Sequence, residues 1–229
     1  MNHDHVLAFL AMGVGCQPIG QGMSGQGVNL LKLLGQLSPH RHAALAKRLD
    51  CDGLMVAAPA YALPTPHELA VHVSAVVNSV GMLTCLYDYP ARTGVPFERE
   101  TLDALADNPH IQGIKEASGD RSRIAMLADH YAGRIDLVCG ADEDSAYFMD
   151  HGAKSWIGGM ANALPKAHKG ILNADTRAEA YAAVHPILEF IEAGRYIAKT
   201  KALLGILGVE CAAVRGPLLP ATQDDIDTL

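Results

Sequence analysis

No two cysteines in this chain are spaced as CxxC, and the five present (Cys16, Cys51, Cys85, Cys139, Cys211) are dispersed and odd in number. That speaks against a disulfide framework or a cysteine zinc site and reads as reduced thiols in a cytoplasmic protein. No basic stripe with interleaved aromatics occurs, and the formal charge is -7, so no nucleic-acid partner is expected. No apolar run approaches the roughly 18 residues a membrane span requires, so no membrane partner is expected either. The opening MNHDHVLAFLAMGVGC has the apolar stretch of a signal peptide, but its first charges are acidic or histidine instead of lysine. A cytoplasmic location is therefore the expectation. Histidines alternate at His3–His5 and His40–His42, yet no HExxH-type spacing exists, so no functional metal is expected.

Nucleotide fingerprints are missing as well: no GxGxxG follows an expected strand, and no GxxxxGK[ST] occurs. What is present is a rhythm that begins near residue 50. Asp52–Pro59 is a short apolar run between turn residues, which predicts a buried strand. TPHE at Thr65–Glu68 predicts a helix start with a capping box, and Leu69, Val73, Val76, Val77 and Val80 recur at helical spacing until Gly81. Strands are predicted again at Met82–Pro90, Ile111–Ser118, Ile135–Asp142 and Lys154–Asn162, with helices near Glu98–Ala106, Arg121–Tyr131 and Ser145–His151. After Asn162 the pattern is helical to the end, with a capping box at Thr176–Glu179 and a helix near Ile197–Leu207. Continuous apolar strands alternating with helices predict an α/β fold with a parallel sheet. The polar residues fall at strand ends (Tyr61, Tyr87, Lys115, Asp142, Asn162), the arrangement of a (β/α)8 barrel active site.

In IQGIKEASGD (Ile111–Asp120), strand alternation puts Ile111, Gly113, Lys115 and Ala117 on one face and Glu116 on the other, so Glu116 reads as structural. Alone, Lys115 would read as a solvated or ion-paired lysine. Small neighbours leave room around an amine, however, and burial disfavours its charged form, which is what an imine-forming nucleophile requires. Tyr87, at the end of the preceding strand and on the same face as Cys85, can supply a phenol for proton transfer. Arg92 has the planar fork suited to a substrate carboxylate, although a structural salt bridge is an equal reading for it.

YDYPARTG (Tyr87–Gly94) followed by GIKEASGD (Gly113–Asp120) resembles the signature pair of the dihydrodipicolinate synthase / N-acetylneuraminate lyase family. PAYALPTP (Pro59–Pro66), GAD from Gly140, GAKSWIGGMAN (Gly152–Asn162) and VRGPLLPAT (Val214–Thr222) extend the likeness over roughly residues 45 to 229. The resemblance implies a class I, pyruvate-dependent aldolase without a cofactor. Lys115 would form the Schiff base, Tyr87 would relay protons, and Tyr61 would complete the relay across a subunit interface. Arg92 would hold the carboxylate of an aldehyde acceptor, as in synthase-like members, and Ile157 and Gly140 would line the pyruvate end. Keto acid and aldehyde are the implied substrates, and a dimer or tetramer the implied assembly. The alternatives are an N-acetylneuraminate lyase-like or 2-keto-3-deoxy sugar acid aldolase or dehydratase of the same family, and a catalytically impaired remnant.

The family's glycine-threonine-threonine-glycine-glutamate motif has no match; GQGMSGQG (Gly20–Gly27) is the nearest stretch. About 50 residues precede the strand that corresponds to the fourth, against roughly 30 per βα unit. The expectation is therefore a (β/α)8 barrel lacking its first strands. Residues 1–45 would be a divergent segment, 46–165 the barrel portion and 166–229 a helical extension. Sheet left exposed by the missing strands would be covered by the N-terminal segment, of which Val6–Gly15 is one candidate cover, by another subunit, or by aggregation.

Overall fold

The computed structural model describes residues 9–12, 39–211 and 213–229. The His3–His5 run, Cys16 and Gly20–Gly27 lie outside them. The chain divides into a first unit ending at Leu137 and a second beginning at Val138.

The first unit is built from parallel strands β1 (Phe9–Met12), β2 (Gly53–Ala57), β3 (Leu83–Asp88) and β4 (Ile111–Glu116), each paired with the next in sequence order. Its helices are α1 (Pro39–Arg48), α2 (Pro66–Val80), the single turn α3 (Pro90–Thr93), α4 (Arg99–Leu105) and α5 (Arg121–His130). The predicted start of α2 is realised in full. Thr65 Oγ1 accepts from the Glu68 backbone N–H, and the Glu68 carboxylate accepts from the Thr65 backbone N–H at 2.8 Å. Gly81, at φ 63°, ends the helix in the left-handed region by donating to Val77 O. Between those caps the stripe Leu69, Val73, Val76, Val77 and Val80 is buried, each side chain contributing on the order of 2 kcal/mol of hydrophobic stabilisation. β1 falls inside Val6–Gly15: Phe9 pairs with Gly53 and Met12 with Val56, so Phe9–Met12 extends the sheet as a further parallel strand.

The second unit holds β6 (Ser155–Trp156), paired in parallel with the end of β5 (Asp136–Cys139) through Val138 and Cys139, together with α6 (Ser145–Asp150). From there the chain is helical, as predicted, through α7 (Met160–Ala163), α8 (Pro165–Leu172), α9 (Arg177–Glu192), α10 (Tyr196–Ile206) and α11 (Gln223–Thr228). Two local expectations fail. The strand predicted at Lys154–Asn162 is confined to Ser155–Trp156, and Asn162, expected at a strand end, lies in the helical turn α7, which Gly159 precedes. Thr176 makes no capping bond to α9; its hydroxyl donates to Gly170 O at 2.7 Å, because α8 ends close enough to take it. A capping box forms at Thr222 and Asp225 of α11 instead. Among the described residues, no helix is long and apolar enough to cross a membrane.

Candidate active site

The β3–β4 ladder pairs Cys85 with Gly113, Leu86 with Ile114, Tyr87 with Lys115 and Asp88 with Glu116. Alternation then sorts these residues onto two faces. On one face Lys115 Nζ lies 4.1 Å from the centroid of the Tyr87 ring, a cation–π distance. Both side chains are half-buried. Behind them on that face, Gly113 carries no side chain and Cys85 is buried. Burial pushes the Cys85 thiol up to about 11, outweighing the opposing pull of the Lys115 backbone N–H and charge, so near neutral pH this neighbour is a small uncharged group.

After β3 the chain turns sharply. Pro90 opens α3, and Gly94, at φ 83°, closes it by donating to Pro90 O at 2.8 Å. The Thr93 hydroxyl is placed between the carbonyls of Val95 (2.9 Å) and Tyr89 (3.2 Å). This turn brings the exposed Arg92 back over Tyr89, with the guanidinium carbon 5.5 Å from the ring centroid, and Tyr89 in turn lies 5.9 Å from the Tyr87 ring. Lys115, Tyr87, Tyr89 and Arg92 thus form one continuous line. Tyr89 was not singled out from sequence, although the Tyr-x-Tyr alternation was the available signal.

Tyr61 sits on the loop after β2 at φ 73°, with its side chain 99% exposed. Two residues on, Leu63, also left-handed at φ 47°, covers Gly94 so closely that a Cβ there would lie 2.5 Å from Leu63 Cδ2. The fold therefore joins the Tyr61 loop to the Arg92 turn but leaves the Tyr61 ring in solvent.

On the opposite face, beyond the buried apolar pair Leu86 and Ile114, the ladder ends in a closed polar cluster. Asp88 and Glu116 are each 1% exposed. Arg123, from the first turn of α5, donates through Nε to Glu116 at 3.1 Å, through a terminal nitrogen to Asp88, and to Phe97 O at 3.0 Å. Asp88 also accepts from the Phe97 N–H at 3.2 Å, and Glu116 from the Ser118 N–H at 2.6 Å. Burial pushes the Asp88 carboxyl up to about 6; Arg123 opposes this and Glu116 adds to it. The structural reading of Glu116 is borne out here, while its partners Asp88 and Arg123 were missed.

In the second unit, Gly140 directly follows β5, and the Ile157 N–H donates to Cys139 O at 3.0 Å, which brings Ile157 beside it. Asp142 is a structural hub. Its carboxylate accepts from Trp156 Nε1 (2.9 Å), the Gly159 (3.1 Å) and Met160 (3.0 Å) N–H groups and the Tyr196 hydroxyl (2.8 Å). The Asp142 N–H donates to Glu192 at 2.7 Å. Burial raises the Tyr196 phenol and pushes the Glu192 carboxyl up to about 7. Asn162, on the surface, donates to Gly159 O at 3.2 Å.

Comparison with known proteins gives one family: residues 39–229 match the dihydrodipicolinate synthetase family. The 4-hydroxy-tetrahydrodipicolinate synthase of Geotalea daltonii is 30% identical over 230 residues, covering 96% of this chain and 76% of its own. The enzyme of the same name from Macrococcus caseolyticus is 28% identical over 193 residues, covering 82% of this chain. This chain spans 65% of the length of that relative. Among solved structures, the chloride-inhibited dihydrodipicolinate synthase of Acinetobacter baumannii in complex with pyruvate matches with a TM-score of 0.75 and 27% identity, covering 82% of this chain and 67% of that one. These likenesses make the fold a (β/α)8-type α/β fold.

Proposed function

The chain belongs to the dihydrodipicolinate synthetase family, and from that premise we propose that it is a class I aldolase or synthase that joins pyruvate to an aldehyde through an imine on Lys115, without a cofactor. The observation that carries this reading is the Lys115–Tyr87 pair, a half-buried amine against a phenol-bearing ring at one register position of a parallel ladder. In its neutral form Lys115 Nζ attacks C2 of pyruvate and gives a carbinolamine, which loses water to form the imine. Loss of a C3 proton yields the enamine, whose C3 attacks the aldehyde carbon and forms the new C–C bond. Addition of water then releases the product and the free lysine. Each step moves a proton, and the Tyr87 hydroxyl is the group we assign to carry it.

Arg92, held at the end of the aromatic line, is assigned to the carboxylate of the aldehyde acceptor, and it favours the synthase-like reading over the lyase-like one. Tyr61 is assigned to reach a second copy of the chain in a homo-oligomer, a reading supported by its full exposure. The proposed compartment is the cytoplasm, where the dispersed cysteines stay reduced. The test is incubation with pyruvate and borohydride, followed by intact mass and peptide mapping. A reduced pyruvate adduct on Lys115 is expected; an adduct on Lys154 or Lys166, or none, overturns the assignment.

A further inference from the structure

We propose that Arg123 is a positioning residue for the Lys115–Tyr87 pair, acting through Asp88 and Glu116, the residues that directly follow Tyr87 and Lys115 on the two paired strands. This rests on the imine-forming role given to Lys115 above.

Asp88 and Glu116 form the last register pair of the β3–β4 ladder; beyond it one backbone bond continues, from the Ala117 N–H to Asp88 O at 2.9 Å. Strand ends fray unless something holds them, and here the strand ends carry the reacting groups. The Arg123 fork spans both strands: Nε serves Glu116 on β4, and a terminal nitrogen serves Asp88 on β3. The same terminal nitrogen reaches Phe97 O, and the Phe97 N–H returns to Asp88, so the chain leading into α4 is tied to the same point. A planar guanidinium holds two carboxylates at fixed angles through separate nitrogens, whereas an ammonium offers three rotatable donors on one nitrogen and no fixed fork.

Stability alone does not account for the cluster. Two carboxylates face one guanidinium, and Asp88 Oδ1 is buried with no hydrogen-bond partner among the described residues. Buried charge clusters of this kind commonly gain nothing over packed apolar side chains, because desolvation offsets the Coulomb attraction. The raised Asp88 carboxyl reflects that cost. What the cluster does achieve is geometric: it fixes the peptide planes on which Tyr87 and Lys115 stand. The charged groups involved are Asp88, Glu116 and Arg123 within the cluster, with Glu98 acting on Arg123 from the start of α4 and Lys115 on the far face.

The test compares the wild type with Arg123→Lys, which keeps the charge but loses the planar fork that spans both strands, and Asp88→Asn, which keeps the shape and the Arg123–Glu116 bond. Three quantities are read: the rate of borohydride-trapped pyruvate adduct on Lys115, the pyruvate concentration for half-maximal trapping, and the pH profile of Lys115 acylation by acetic anhydride. Arg123→Lys is expected to slow trapping by about tenfold or more while half-saturation stays within about threefold, since misplaced reacting groups lose rate before they lose binding. Its acylation profile should also move, which mere loss of stability would not cause. Asp88→Asn should fall between the two. Wild-type trapping rate and acylation profile in a folded Arg123→Lys protein would overturn the proposal. Should Arg123→Lys fail to fold, the same two quantities unchanged in Asp88→Asn overturn it. If pyruvate adds to no lysine of the wild type, the aldolase reading fails by itself, and the acylation profiles still decide the role of Arg123.

Discussion

Lys115 and Tyr87 are register partners on adjacent parallel strands, and the lysine ammonium rests 4.1 Å from the tyrosine ring centroid. Because the pair is held by a ladder and not by a loop, the separation of amine and phenol follows from strand geometry. Replacing either residue should therefore change chemistry more than fold. Lys115→Ala is expected to abolish the pyruvate adduct with little change in melting temperature. Labelling that survives this substitution would mean the nucleophile lies elsewhere.

Tyr87→Phe keeps the ring under the ammonium and removes only the hydroxyl. Imine formation should slow by about a hundredfold, in the range typical of losing a positioned proton-transfer group, while pyruvate half-saturation changes little. Stopped-flow trapping at several pyruvate concentrations separates the two. A pure loss of binding would assign the hydroxyl to substrate contact instead.

Arg92→Ala tests the acceptor end. A charge-assisted contact to a carboxylate is worth roughly 2 kcal/mol, so KM for an acidic aldehyde should rise by about thirtyfold while pyruvate half-saturation stays unchanged. An equal loss with a neutral aldehyde would show that Arg92 serves the turn and not the substrate.

In the second unit, Gly159→Ala would put a Cβ 2.2 Å from the Tyr196 hydroxyl oxygen, forcing that hydroxyl away from Asp142 and the Gly159 N–H. A loss of about 2–4 kcal/mol is expected, combining overpacking with a broken buried bond. Urea denaturation checks it, and a loss below about 1 kcal/mol, the net worth of one ordinary hydrogen bond, would show that the hub tolerates displacement.

Glu192 sets a pH dependence. Burial raises its carboxyl from 4.5 to about 7, so the folded protein holds a proton that the unfolded chain releases between those values. Stability from this group is full below about pH 4.5 and is lost as pH rises through 7. Solvent reaches part of the side chain, which limits the swing to on the order of 2 kcal/mol. Glu192→Gln should flatten the stability profile across that window; an unchanged slope would assign it to other groups.

The sequence made legible what periodicity and caps encode: the strand and helix alternation, the α2 boxes at Thr65 and Gly81, and the facing of Lys115 away from Glu116. It did not reveal Arg123 or Tyr196, because their partners lie far along the chain and nothing in local spacing marks a buried ion cluster or a hydroxyl aimed at Asp142. Thr176 shows the converse. Its motif is a valid helix start, but a carbonyl from the preceding helix competes for the same hydroxyl and takes it. Tyr89 was visible in principle, since residues two apart on a strand share a face, yet alternation alone does not tell a wall of a site from an ordinary aromatic.

The two faces of the β3–β4 ladder also act as a check on how the chain is assembled. Tyr87–Asp88 and Lys115–Glu116 are consecutive residues on opposite faces, one of each pair in the lysine–tyrosine contact and one in the Arg123 cluster. A slip of either strand by one position would turn a buried carboxylate toward the Lys115–Tyr87 face and leave Arg123 with one of its two carboxylate partners replaced by a tyrosine, a lysine or an alanine. The misaligned form is thereby penalised in stability. Control over the alignment of Lys115 with Tyr87 is, in this chain, written into the letter next to each of them.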